Sequence, residues 1–234
     1  LGHGEMSDHM FLDGLEDVYE KGTLMGVFAE RTAKSYGFTR EEQDEFAIRS
    51  LTRAKTAIED GSFKEEITPV SFQDRKGKTV VEQDEQPLSA NLEKIPSLRP
   101  AFEKEGTVTA ANSSSISDGA AALVMMSEST AKKRGLTPLA RILGHSSFAQ
   151  SPDWFTTAPI GAIKKLLEKV NWATHDVDLF EINEAFATVT MAAIKDLDLP
   201  AEKVNIHGGA CALGHPVGAS GTRILVTLIS ALRK

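Results

Sequence analysis

The run NIHGGACALGHPVGASG, residues 205–221, holds the chain's one cysteine, Cys211, four positions before His215 in a setting dense with glycine. A thiol beside an imidazole is the pairing of a nucleophile with its base, because the base draws off the proton and leaves a reactive thiolate. On a helix, positions i and i+4 would share a face. The glycines at 208, 209, 214 and 218 argue against a helix through 207–217, since each costs about 1 kcal/mol relative to alanine. The competing reading of Cys211 is a small buried filler, the common state of a free cysteine. A metal site would use His207, Cys211 and His215, but an even spacing of four matches no usual zinc signature and no fourth ligand is evident.

Neighbouring motifs fail in instructive ways. GASGT at 218–222 departs from the G-x-S-x-G elbow at its last position, Thr222, and GHPVGASG has neither the lysine of a Walker loop nor the glycine spacing of a dinucleotide fold. His215 is harder to set aside. Pro216 after it fixes the local backbone and removes a donor, while Gly214 and Gly218 permit close approach, which is how a loop aims one imidazole. A helix starting near Gly218, with Ser220 in its first turn, would present free N–H groups to a ligand or to ordinary caps. In EINEAFA, 181–187, Asn183 and Glu184 fall directly after an apolar run, where Asn183 reads as a helix cap or as a neutral group of a site.

The elements that must position these residues follow from hydrophobic period. Residues 1–117 are polar and irregular around one helix, which Thr39 and Glu42 start with a capping box and whose apolar face carries Phe46, Ala47, Leu51, Ala54 and Ile58. The stretch FQDRKGKTVVEQDEQPLSANLEKIPSLRP reads as loop. From 118 the pattern turns to apolar runs alternating with amphipathic helices, an α/β signature. GAAALVMM at 119–126 is expected to be a buried strand, with a helix from about Ser127 to Gly135 behind it. LARIL at 139–143 opens another unit. Pro159 starts a helix with Ile160, Ile163, Leu166, Leu167 and Val170 on one stripe, VDLFEI at 177–182 reads as a strand, and a helix is expected from about Glu184 to Leu197. KVNIHGG is a third strand-like run, and Ile224, Leu225, Leu228, Ile229 and Leu232 line a final helix. The chemistry-bearing residues thus sit at strand-to-helix junctions, where α/β sheets place ligands.

Composition narrows the partners. With 33 acidic and 26 basic residues the net charge is −7, so no basic stripe invites nucleic acid or anionic lipid, and a polyanionic ligand must be held by local groups. No apolar run is long enough to span a bilayer. A single cysteine excludes an internal disulfide framework and fits a reducing, cytoplasmic compartment.

NEAFA at 183–187 and GGACALGHPVGASG at 208–221 resemble the two C-terminal signatures of the thiolases, acyltransferases that make or cleave 3-oxoacyl-CoA by Claisen chemistry. The likeness extends through DGLEDVYEKGTLMG, REEQDEFAIRS and GTVTAANSSSISDGAAALVMM and so covers essentially the whole chain. The resemblance implies an α/β thiolase fold, a layered αβαβα sandwich with an inserted loop domain, incomplete at both ends. Residues 1–117 would be part of the loop domain, 118–138 the last strand and helix of the N-terminal half, and 139–234 a truncated C-terminal half. It implies acetyl transfer between acetyl-CoA and acyl-CoA through an acyl-cysteine, in condensation or in thiolysis, as in fatty acid metabolism. His215 and Asn183 would be the catalytic residues of this segment. Ser114, Met25, Phe186 and Ala185 would contact the acyl-pantetheine arm. Coenzyme A thioester would be the substrate, with no metal and no resident cofactor. The nucleophilic cysteine of the family would lie upstream of Leu1 and a second acid/base cysteine beyond Lys234, so that the chain reads as an internal fragment and Cys211 as a packing residue. A homo-oligomer, dimer or tetramer, is expected of the full-length protein. Two alternatives are a non-catalytic thiolase-like protein that binds CoA or lipid, and a decarboxylating ketosynthase, against which the intact Asn183-Glu184 pair weighs.

Overall fold

Helix α1 (Met25–Tyr36) buries Phe28, Ala29, Thr32 and Ala33, and Gly37 ends it in the left-handed conformation at φ 69° in the computed structural model, which describes residues 2–75 and 77–234. Its apolar stripe is short and broken by Gly26 and Thr32, so periodicity alone did not mark it. Helix α2 (Arg40–Glu59) starts as the sequence predicts. The Thr39 hydroxyl accepts from the Glu42 backbone N–H at 3.2 Å and the Glu42 carboxylate accepts from the Thr39 N–H at 2.8 Å. Its Phe46, Ala47, Leu51 and Ala54 are buried and Ile58 partly so.

The stretch expected to be loop holds an antiparallel hairpin, β1 (Val70–Asp74) with β2 (Gly77–Val81), in the register Val70↔Val81 and Phe72↔Thr79. It is followed by the five-residue helix α3 (Glu85–Ser89) and a 3-10 turn over Leu92–Ser97. The hairpin escaped prediction because its strands are exposed on both faces and carry no in/out alternation.

Helix α4 (Glu128–Lys133) is capped by Ser127, and α5 (Ala158–Val170) opens on Pro159 and closes on the left-handed Asn171, both near the expected bounds. Helix α6 (Ala187–Leu197) starts three residues later than expected. Residues 183–186 are instead held extended against the 112–114 segment: Phe186 bridges Ser113, and Ala187 N–H donates to the Asn112 carbonyl at 2.8 Å. A four-residue turn of helix, α7 (Ala210–Leu213), is cut off by Gly214 at φ 84°, and α8 (Ser220–Leu232) follows.

The expected strands are corrected by the structure. VDLFEI and KVNIHGG meet at one parallel bridge, Phe180↔Val204, without a ladder. GAAALVMM and LARIL form no strand pair among the described residues, and GAAALVMM is not buried: Val124 is 89% and Met125 71% exposed. A run apolar on both faces suits a strand with sheet neighbours and covering helices; no neighbouring strand lies among the described residues, so its side chains face out. The core consists of separate clusters around the remaining elements. One joins Ile160 of α5, Phe180, Ile182 and Val204 to Ala193 and Leu197 of α6. Another joins Leu51 and Ala54 of α2 to Phe63, Ile95 and Leu213. A third holds Ala29, Val108, Phe186 and Val189.

Exposure without hydrogen-bonded neighbours has a measurable consequence. In these 234 residues, amide exchange across 119–126 and 139–143 should be near the unprotected rate while the buried face of α6 is protected. Protection of 119–126 matching that of α6 would contradict the unpaired arrangement.

Candidate active site

His215 is fixed from three directions. Its backbone N–H donates to the Ser115 carbonyl at 3.0 Å, its Nδ1 lies 2.5 Å from the Ser220 hydroxyl, and its Nε2 lies 3.3 Å from the Asn183 side-chain nitrogen. The GHP loop, the start of α8 and the junction before α6 therefore meet at one imidazole. Both His215 and Asn183 are half-buried, so each retains an accessible edge. Burial holds the His215 imidazole below the ordinary histidine value of 6.5, keeping it neutral at neutral pH. A neutral imidazole beside a neutral amide can take a proton from a thiol, or donate hydrogen bonds to an oxyanion, without a formal charge of its own to neutralise first.

Asn183 is not a helix cap: α6 begins at Ala187, and Asn183 sits in the extended stretch before it. It is aimed by its neighbours. On one side, the Asn205 side chain pairs with Ile182 as another strand would, accepting from its N–H and donating to its carbonyl, both at 2.8 Å. Asn205 can do this because it takes the left-handed conformation, φ 49°, which asparagine tolerates better than most residues. On the other side, the Glu184 carboxyl is 1% exposed and accepts from Ser50 at 2.7 Å, Asn205 at 2.8 Å and the Cys211 N–H at 3.2 Å. Burial pushes Glu184 up, against the pull of these donors. Sequence reasoning named Glu184 only as Asn183's neighbour. Its role depends on Ser50 and Asn205, distant in the chain, and no local signal announces them.

Cys211 and His215 do not form a pair. Cys211 is 1% exposed, its thiol points at the Glu184 carbonyl at 3.6 Å, and burial pushes its pKa well up. That is the packing role and not the nucleophile's. His207 lies edge-on to Phe63 with ring centres 5.8 Å apart. Among the described residues no cluster of three or more histidine, cysteine or acidic side chains is arranged to hold a metal.

The candidate binding residues lie together. Ser114 donates to the Ala185 carbonyl through its N–H at 3.0 Å and its hydroxyl at 2.9 Å. Phe186 packs in the cluster that Met25 and Ala185 flank. Phe102, unmarked by the sequence, completes this wall, edge-on to Phe186 at 5.9 Å, and its ring fills the place where a Cβ on Gly26 would fall. A groove of about 260 Å³ runs nearby between Leu51, Ala90, Lys94, Ile95 and Leu98, with Gln86 in its wall. Gln86 also hydrogen-bonds Ser115 and the Cys211 carbonyl, so the groove's wall is one residue removed from the segment that holds His215.

His215 and Asn183 thus converge at junctions of extended segments and helices, beside an apolar cluster. The comparisons with known proteins give this arrangement a family. Residues 1–129 match the N-terminal domain of thiolases and 136–234 the C-terminal domain, and the chain belongs to the thiolase family. It is 47% identical over 234 residues to a probable acetyl-CoA acyltransferase of Staphylococcus aureus (strain COL), covering 99% of this chain and 59% of that protein. It superposes on the crystal structure of Bacillus anthracis acetyl-CoA acetyltransferase with a TM-score of 0.95 at 47% identity, and on human mitochondrial 3-ketoacyl-CoA thiolase with 0.91 at 38%. Each alignment covers 100% of this chain and 59% of the other. The fold is thus the thiolase fold, and the chain spans 59% of the length of these relatives. Among the described residues no helix is long and apolar enough to cross a membrane.

The close approach of Gly209 to Glu184 provides a direct check. A Cβ on Gly209 would fall 2.3 Å from the Glu184 carboxyl carbon, so Gly209→Ala should destabilise the fold by about 1–3 kcal/mol, the usual cost of overpacking. An unchanged denaturation midpoint would show that the carboxyl can move aside.

Proposed function

We propose that this chain is the part of an acetyl-CoA acyltransferase that carries the oxyanion-stabilising and proton-accepting groups, acting on acyl-CoA thioesters by Claisen condensation or its thiolytic reversal. The observation that carries this reading is the convergence of His215 Nε2 and the Asn183 amide at 3.3 Å in a chain of the thiolase family. Claisen chemistry between thioesters passes negative charge to a carbonyl oxygen twice, in the enolate and in the tetrahedral adduct, and fixed donors are the means of lowering both barriers. In condensation an acyl group leaves a cysteine sulfur for the α-carbon of acetyl-CoA, whose α-proton goes to a base, and the cysteine departs as thiolate. Thiolysis runs these steps backward: the cysteine thiolate attacks the 3-oxo carbon, acetyl-CoA leaves as its α-carbon takes up a proton, and the thiol of coenzyme A then takes the acyl group from the cysteine.

Cys211 is too buried to be the acyl carrier, so the acylated thiol belongs outside residues 1–234. The relatives' greater length accommodates it. Met25, Phe102, Ala185 and Phe186 supply apolar surface for the acyl-pantetheine arm, with Ser114 beside Ala185. Apolar walls also exclude water, which strengthens donors within. On the same reading residues 1–117 belong to the loop domain, 118–138 complete the N-terminal half and 139–234 begin the C-terminal half. The whole protein acts as a cytoplasmic homo-oligomer in fatty acid metabolism, without a metal or resident cofactor.

The test is thiolysis of acetoacetyl-CoA by the whole protein. His215→Ala should lower turnover on the order of a hundredfold or more, from loss of a base and an oxyanion donor, while Cys211→Ala stays within about a few fold, the range of a packing change. Mass spectrometry of the acylated enzyme should find the acyl group on a thiol other than Cys211, and the 234 residues alone should be inactive. A normal rate for His215→Ala, or acyl transfer to Cys211, would overturn the assignment.

A further inference from the structure

Ser220 is the first residue of α8 and is 4% exposed. Its hydroxyl lies 2.5 Å from His215 Nδ1 and 3.2 Å from the Pro216 carbonyl. A hydroxyl has one proton to give. If that proton goes to Pro216, the oxygen is free to accept Nδ1–H, and the ring's lone pair is then on Nε2. The other end of the ring agrees: Nε2 faces the Asn183 amide nitrogen, which only donates, so in this orientation of the amide Nε2 accepts. Every donor in the chain from Asn183 through His215 and Ser220 to Pro216 then meets one acceptor, all in one direction.

We propose that Ser220 is the positioning residue of this site, holding His215 as the Nδ1–H tautomer so that the Nε2 lone pair is the base presented to the reacting thiol. The proposal rests on the acyltransferase reading of His215. Its chemical content lies in the partner being neutral. A carboxylate on Nδ1, as in a serine-hydrolase triad, would orient the ring and also stabilise the imidazolium. Among the described residues no acidic side chain hydrogen-bonds to this ring. Ser220 fixes orientation and tautomer without charge, and the positive end of the α8 dipole opposes a positive ring besides. The proton taken from a thiol is therefore held loosely. Proton transfer runs from sulfur to Nε2, Nδ1–H stays on the ring throughout, and Nε2–H becomes the donor available to a thioester oxygen.

The reverse register is equally complete: Asn183 turned over to accept from Nε2–H, with Ser220 donating to Nδ1. Nitrogen-15 chemical shifts of His215 in the whole protein separate the two, because protonated and lone-pair ring nitrogens resonate far apart. The expected result is Nδ1 protonated and Nε2 bare in the wild type, preserved in Ser220→Thr and averaged between tautomers in Ser220→Ala. Thiolysis by Ser220→Ala should lose about tenfold or more in kcat with KM changed less, and Ser220→Thr should restore most of it. Ser220→Asp should move the acid limb of the pH–rate profile upward, because a carboxylate beside the ring raises its pKa. Nε2–H in the wild type, or a Ser220→Ala protein whose tautomer and kcat match the wild type, overturns the proposal. The nitrogen shifts read the tautomer independently of turnover, so inactivity of His215→Ala and the state of Ser220 are decided separately.

Discussion

A carboxyl group with 1% of its surface exposed lies at the centre of this structure, and its surroundings are arranged around the need to satisfy it. Burying such a group without partners costs several kcal/mol or drives it to protonate. Glu184 takes donors from three separate parts of the chain: Ser50 on α2, Asn205 after the parallel bridge, and the N–H of Cys211 in α7. Ser50 in turn accepts from the Gly209 N–H at 2.9 Å, so the same carboxyl indirectly sets the approach to α7. Arg53, one turn further along α2, donates to the carbonyls of Ala201, Val204 and Asn205. Helix α2 thereby grips the 201–211 segment at two levels. Because Glu184 cannot move without stranding a donor, Asn183 beside it is also fixed.

A second carboxyl repeats this logic in the segment that leads to the site. Glu30 of α1 is 6% exposed and accepts the backbone N–H groups of Thr107 and Val108 at 2.9 and 2.8 Å. Gly106 is required there, since a Cβ would fall 2.1 Å from the Glu30 oxygen. The run that follows is stitched forward by Asn112, which donates to Asp44 and the Thr107 carbonyl, each at 3.1 Å. The next residues reach the site directly: Ser114 at Ala185 and Ser115 at the His215 N–H. The loop before the site and the two junctions after it are therefore one hydrogen-bonded body, although more than 70 residues separate Ser114 from Ala185 along the chain.

What the sequence made legible follows the range of the interactions. Helices α2, α4, α5 and α8 were readable because their signals are local: a capping box at Thr39, a serine cap at Ser127, proline at 159, and apolar stripes with a 3.6-residue period. His215 was readable from the glycines and proline around it. Asn183 could be singled out, but whether it was a cap or a site group depended on where α6 begins, and that is decided by the pairing of Phe186 with Ser113, a contact between distant residues. Helix α1, the hairpin and Phe102 were missed for the same reason: their places are set by tertiary partners. The run at 119–126 was read correctly as apolar and wrongly as a buried strand, since a strand pattern states a need for neighbours without providing them.

That last contrast separates two kinds of order within one chain. The unpaired runs have no ladder partner among the described residues, and their Val124, Met125, Leu139 and Ile142 are exposed. The His215 site has no such debt. Its polar groups are satisfied by Ser50, Asn205, Ser115, Ser220 and Glu184, all within residues 50–220. A site whose aim depended on the sheet would be loosened wherever the sheet is unpaired; this one draws its geometry from helix α2, the 107–117 run and the start of α8 instead. The arrangement of His215, Asn183 and Ser220 is thus a property of buried side-chain hydrogen bonds, and an intact ladder through 119–126 is not what holds the imidazole in place.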